Sequence, residues 1–243
     1  MRKLIVPKLL WVCFAVFLIS SCKDDSYLTK NPPVPNQSFH EEFDSASAAL
    51  TRGWKFINAS DPIGGGVWQN GGSIPPFFNA FSNNGSNIGF IGTDVSSTSA
   101  AQGVVSNWLV SPPVIMQNGD KIIFYTRALQ YPDGSGDTTD YGNSLQLRLN
   151  TTNDDANVGN GFDPGLFTTG LLTINANLTY SSALHKDPTA YPSQWTRFEA
   201  IVSGLNKPVK GRFGFRYFVT DGGFNGNGSG VGIDAVSYLG IGN

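Results

Sequence analysis

The chain has 243 residues, with 16 Lys and Arg against 18 Asp and Glu (a formal charge of −2), 29 glycines and two cysteines. That balance argues against nucleic acid as a partner, which needs a basic face. With Cys13 and Cys22 the only thiols, everything after residue 22 lacks disulfides, thiolate catalysis and Cys-held zinc. Glycine is far above its usual share of about 7%, and no sustained 3.6-residue apolar period follows the first 22 residues, so the chain reads as all-β with long loops.

The opening MRKLIVPKLLWVCFAVFLISSC carries Arg2, Lys3 and Lys8, an apolar run and small residues before Cys22, the layout of an export signal over residues 1–21. Leu18-Ile19-Ser20-Ser21-Cys22 resembles a bacterial lipobox, which implies a Cys22 diacylated into the outer-membrane lipid. Lys23-Asp24-Asp25 resembles the lysine-plus-two-acids signal that sends some lipoproteins to the outer face of that membrane. With the leader gone, about 13 bases face 18 acids, a net charge of about −5. Residues 22–38 are polar with three prolines, which disfavour helix, and read as a stiff stalk. Residues 39–243 are long enough for one core, and a single domain is expected.

Strands are expected at Phe39–Phe43, Trp54–Asn58, Asn87–Thr93, Val104–Val110, Lys121–Leu129, Ser144–Asn150, Leu171–Asn175, Trp195–Val202, Gly211–Thr220 and Val231–Leu239. The clearest is Ser144–Asn150, where Leu145, Leu147 and Leu149 alternate with Gln146, Arg148 and Asn150. Gly211–Thr220 places Phe213, Phe215, Tyr217 and Val219 on one face, with Phe218 on the other, suited to packing under a loop. No helix is expected. So many short strands give a two-sheet sandwich or barrel. Trp54, Trp108 and Trp195 read as core aromatics. The glycine-rich Asp221–Gly230 has no Gly-Lys-Ser or Gly-Lys-Thr and no helix after it, so it is no phosphate loop; it reads as a long flexible turn joining two adjacent strands, the second of which aims Asp234 out of the core.

The order Glu42-Phe43-Asp44, Gly53-Trp54, Trp108-Leu109-Val110-Ser111-Pro112, Gly119-Asp120-Lys121-Ile122-Ile123-Phe124-Tyr125, Leu145-Gln146-Leu147-Arg148-Leu149, Trp195-Thr196-Arg197-Phe198, Arg212-Phe213-Gly214-Phe215-Arg216-Tyr217 and Gly232-Ile233-Asp234-Ala235-Val236 resembles the choice-of-anchor J and cleaved-adhesin domains over about 200 residues. The resemblance implies an antiparallel jelly-roll β-sandwich of the galactose-binding-like kind. It also implies a structural calcium ion near the first and last strands, with Glu42, Asp44 and Asp234 as ligands and Asp94 as a looser candidate. Members often show two consecutive acids in the last strand where this chain has Asp234-Ala235, one ligand fewer.

Catalysis finds little support. His40 and His185 belong to no spaced ligand set, and no GxSxG elbow is present. Asp133, Asp137, Asp140, Asp154, Asp155 and Asp163 lie in Gly-, Asn- and Thr-rich loops, and spacing alone builds no glycosidase pair from them. Two readings stay open: an adhesive module binding a glycan or a matrix protein, and a mainly structural surface domain. For the first, loop aromatics are the natural sugar-stacking surfaces, with Trp68, Tyr141 and Phe224 the chosen ligand residues.

Overall fold

The computed structural model describes residues 34–83, 86–182 and 184–241. The leader, Cys22, the Lys23-Asp24-Asp25 signal and most of the stalk lie outside the described residues.

Two antiparallel sheets pack face to face. In chain order the strands are β1 (Phe39–Glu41), β2 (Lys55–Asn58), β3 (Gln69–Asn70), β4 (Ile91–Asp94), β5 (Gly103–Val110), β6 (Val114–Met116), β7 (Lys121–Ala128), β8 (Tyr131–Pro132), β9 (Thr138–Thr139), β10 (Leu145–Asn150), β11 (Thr169–Ile174), β12 (Thr196–Ile201), β13 (Val209–Gly222) and β14 (Gly230–Leu239). The front sheet runs β12-β7-β14-β4-β3 with β1 also on β14; the back sheet runs β11-β10-β13-β5-β2 with β6 on β13; β8 and β9 form a small separate hairpin. Leu145, Leu147 and Leu149 face Tyr217, Phe215 and Phe213 across β10 and β13, and all six are buried, so the alternation seen in sequence writes the inner face of the back sheet. Phe124 meets Phe215 edge-on across the sandwich, at 4.8 Å between ring centres.

Three expectations about the backbone need correcting. A helix, α1 (Ala46–Thr51), stands where none was expected: Ser45 caps it by accepting from the Ala48 N–H at 3.3 Å, and one and a half turns are too short to write a 3.6 period. The turn after β13 joins strands of different sheets, so Asp221–Gly230 is a crossover. It is also fastened, with Asn227 N–H donating to Asp221 O at 2.8 Å and Asn225 N–H to Ala101 O at 3.0 Å. Third, residues 36–38, assigned to the stalk, dock on the base of the sandwich, where Ser38 Oγ accepts from Gly240 N–H at 3.0 Å and Gln37 Oε1 from Ile115 N–H at 3.0 Å.

Each sheet carries an outer cover. Over the back sheet, the segment after β10 sets Phe167 on Trp108 and Phe162 against Phe218, which accounts for that outward aromatic. Over the front sheet lie residues 71–83 and 86–90. Phe78 stacks on Phe90 at 4.8 Å, and Phe81 lies over Tyr125 at 3.6 Å. Trp195, expected in the core, belongs to this layer: it meets Phe78 edge-on and donates its indole N–H to Asn79 O at 2.8 Å. The outward positions of β14 explain its glycines. A Cβ at Gly230 would stand 3.2 Å from the Phe77 ring and one at Gly232 2.8 Å from the Phe78 ring, so both are seats for aromatic faces.

Candidate functional site: carboxylates at the bulge and an apical cavity

The next outward residue after those seats is Asp234. From Asp234 to Ser237, β14 advances three residues while β7 advances two, from Tyr125 to Ile123. The extra residue is Ala235, at φ 50°, which makes this a β-bulge of the kind that re-aims a neighbouring side chain. It falls where β14 changes partner, from β4 at Gly230–Ile233 to β1 at Val236–Tyr238. Into that gap Asp234 points outward and is still fully buried, because the covering segment closes over it: Oδ2 accepts the N–H groups of Phe81 and Ser82, each at 2.9 Å, and Ser82 Oγ donates at 3.0 Å to Oδ1. Burial pushes its pKa up to about 6 against these donors, and the negative charge of Glu42 adds to the rise.

Glu42 follows β1, where Phe43 turns into the core at φ 53°. Its Oε1 meets His40 Nε2. Burial alone would raise its pKa, but Ser82 and His40 hold it below the ordinary value. Its Oε2 is buried with no hydrogen-bond partner among the described residues. Asp44 reaches the far limb of the same segment: a Cβ at Gly89 would stand 3.3 Å from its Oδ1 and 3.1 Å from Asn83 Nδ2. Asp94 goes elsewhere. It pairs with Gly230, four residues from Asp234 along β14 and so about 13 Å away, and its Oδ1 accepts from Ser96 N–H at 2.9 Å to cap a short 3-10 turn. Among the described residues no three His, Cys, Asp or Glu side chains gather as a metal cluster. Of the four candidate ligands, Glu42 and Asp234 lie close enough for their charges to interact, while Asp94 stands apart from them.

The sugar-stacking candidates also separate. Trp68 is 2% exposed and lies in the main core, so its ring is closed to a ligand, and this choice is corrected. Phe224 is 79% exposed at the start of the crossover and lines no described cavity. Tyr141, 40% exposed, lines a cavity of about 470 Å³ with Asp133, Thr139, Tyr180, Ser182, His185 and Asn227. It stands at φ 53°, and Gly142 follows at φ 80°. A Cβ at Gly142 would come 2.3 Å from Leu178 O, so only glycine allows this approach. Tyr131 lies 6.5 Å from Tyr141 between ring centres. Tyr180 and His185 were missed as partners in sequence because they arrive through tertiary pairing, a single antiparallel bridge between Thr139 and Ser182.

Below the cavity a buried polar network holds the floor. Asn143 Oδ1 accepts from Tyr217 OH at 2.7 Å, Ser229 N–H at 3.0 Å and Gly230 N–H at 3.1 Å, while its Nδ2 donates to Ser229 Oγ at 2.8 Å. Asp140, fully buried, accepts from Gly142 N–H at 3.2 Å, and burial pushes its pKa up. Next to this network Gly228 N–H donates to Tyr141 O at 2.7 Å, which ties the Tyr141 backbone to it.

No family model matches the chain, and no curated protein matches it in sequence. Among solved structures, the chain is similar to the K1 cleaved adhesin domain of Lys-gingipain from Porphyromonas gingivalis, at 18% identity over 83% of this chain and 96% of that one, with a TM-score of 0.49. The K3 cleaved adhesin domain of the same protein gives 17%, 85%, 97% and 0.45. A family 29 carbohydrate-binding module complexed with mannohexaose gives 13%, 84%, 92% and 0.34. At such identities and overlaps the fold rests on the strands and their registers described above.

Proposed function

We propose that the chain is a surface lipoprotein of the choice-of-anchor J and cleaved-adhesin kind, anchored in the outer membrane through acylated Cys22 and facing the exterior, whose sandwich binds a glycan or a matrix glycoprotein at its apical cavity. The observation that carries the binding reading is the cavity itself: two partly exposed tyrosines, 141 and 180, line it with Asp133, His185 and Asn227, and Tyr131 stands 6.5 Å from Tyr141 between ring centres. Aromatic faces take the C–H faces of sugar rings, and the polar groups take hydroxyls. Placement supports it too. Residues 36–38 dock beside the end of β14 and the cavity opens beside its start, so ten residues of strand, about 33 Å, separate tether and site.

A structural calcium ion belongs to the same reading, held by Glu42 and Asp234 with Asp44 at the edge. Calcium favours such oxygen donors, and it would neutralise two carboxylates that now repel each other across Ser82.

The test is a glycan array and titration calorimetry on the full chain in detergent. Tyr141→Ala and Tyr180→Ala are each expected to weaken binding about tenfold, or about 1.4 kcal/mol, while Phe224→Ala leaves it unchanged. A blank array with the unmodified chain would leave the purely structural surface domain as the better account.

A further inference from the structure

We infer that the ligand of the apical site is an uncharged oligosaccharide lying across two adjoining cavities, and not a single acidic sugar held at one. The inference rests on the binding reading above and specifies what is bound.

The second cavity, about 820 Å³, opens at the edge of the sandwich where β11 ends the back sheet and β12 ends the front sheet. Its wall includes Leu172, Ile174 and Phe198, and Gln130 and Gln194 stand on it. Ser182 lines both cavities, and of two consecutive strand residues Thr138 lines the edge cavity and Thr139 the apical one. A ridge one or two residues wide thus divides them. Each volume lies in the range of ligand sites, so a chain of several sugar units can bury rings in both and cross at Ser182.

Charge decides the chemical class. Acidic saccharides are held by carboxylate or sulfate groups, and the planar fork of arginine is the side chain suited to both. Among the described residues no arginine lines either cavity. The apical cavity has Asp133 with His185, and the edge cavity offsets Lys186 with Asp187. Beneath Tyr141, the oxygens of buried Asp140 meet neutral donors, Gly142 N–H and Asn143 Nδ2, and no cation pairs with it among the described residues. An incoming anion would lose water against this field, whereas glutamine, asparagine, serine and threonine side chains are suited to neutral hydroxyls.

The test measures affinity of the full chain in detergent for neutral manno- and cello-oligosaccharides of increasing length, with oligogalacturonates as the acidic series and chitosan oligomers as the basic one. Affinity should rise about tenfold or more between the dimer and the pentamer of a neutral series, and acidic oligomers of equal length should bind about tenfold more weakly. Gln194→Trp, an exposed position, should fill the edge cavity and remove the gain with length while sparing dimer binding; Thr189→Trp is the second plug if the first misfolds by circular dichroism. Asp133→Asn, which keeps the acceptor of its turn, should narrow the gap between neutral and acidic series. Tighter binding of the acidic or basic series, or a flat dependence on length, would overturn the inference and leave glycan binding standing. Failure of the unmodified chain to bind any of the three series, together with a blank array, would remove the binding function itself.

Discussion

The cover on the front sheet and the loops at the apical pole are both built from aromatic residues set among Asn, Ser and Gly, phenylalanines in the one and tyrosines in the other, and they end in different states. Between Gly71 and Phe90 the sheet supplies seats: Gly230 and Gly232 admit Phe77 and Phe78, Tyr125 receives Phe81, and Asp234 ties down two backbone N–H groups. At the pole the sheets end and no strand face lies above the loops. Tyr131, Tyr141 and Tyr180 stay 44%, 40% and 66% exposed, although the network below them is buried and satisfied. An aromatic loop residue is therefore buried where a strand offers it a floor with room, and stays open to solvent where only its backbone is held.

Trp68→Ala tests that division with the largest effect. Loss of a fully enclosed indole should cost about 3–5 kcal/mol in chemical denaturation. If the division holds, apical ligand affinity measured below the transition stays unchanged; a loss of affinity larger than that of Tyr141→Ala would return Trp68 to the site.

A pH titration probes the clamp. Asp234 has a raised folded pKa, about 6 against an ordinary 3.8, so between those values the folded state holds a proton that the unfolded chain has released. This contribution to stability is complete below about pH 4 and is lost as pH rises through about 6, on the order of 3 kcal/mol for a shift of about two units. In chelator, denaturation midpoints should fall across that window. In millimolar calcium the fall should be reduced, since a bound cation favours the ionised form, and a site with Kd near 10⁻⁴ M adds about 1.4 kcal/mol at neutral pH. Curves that coincide with and without calcium would count against the ion.

Asp234→Ala should cost about 1–3 kcal/mol, because it orphans the N–H groups of Phe81 and Ser82 under the cover. Hydrogen exchange should accelerate at those two amides and remain slow at Asn143 and Ser229. Asp234→Asn should cost less and flatten the pH dependence. The smallest effect belongs to Ala235→Gly: its φ of 50° suits glycine better, so a gain of about 1 kcal/mol is expected in the same denaturation assay.

These regions also differ in how far they could be read from sequence. The inner faces were legible because a half-buried antiparallel strand writes a period of two: Leu145, Leu147 and Leu149, and Phe213 through Val219, lie where alternation puts them. The outward direction of Asp234 followed from the same parity. Its partners did not, since Phe81 and Ser82 are about 150 residues away in the chain. Trp68 and Trp195 exchanged roles for the same reason: an indole needs about 200 Å² of cover, and sequence does not say which layer provides it. Of the cavity, Tyr141 was readable as a turn aromatic, while Tyr180 and His185 join it only through the bridge at Ser182.

The bulge in β14 has a consequence for how this chain can vary. Val231 and Ile233 face the core before Ala235, and Val236 and Tyr238 face it after, so the inward positions change from odd to even across one inserted residue. Deleting Ala235 would bring all four into a single alternating frame, with Asp234 still outward. A one-residue deletion would thus be nearly silent to the core and would straighten the bend that brings Asp234 under the N–H groups of Phe81 and Ser82. Descent can remove the clamp while keeping the sandwich, and length variation at this position among descendants would sort clamped from unclamped forms without any change in their hydrophobic pattern.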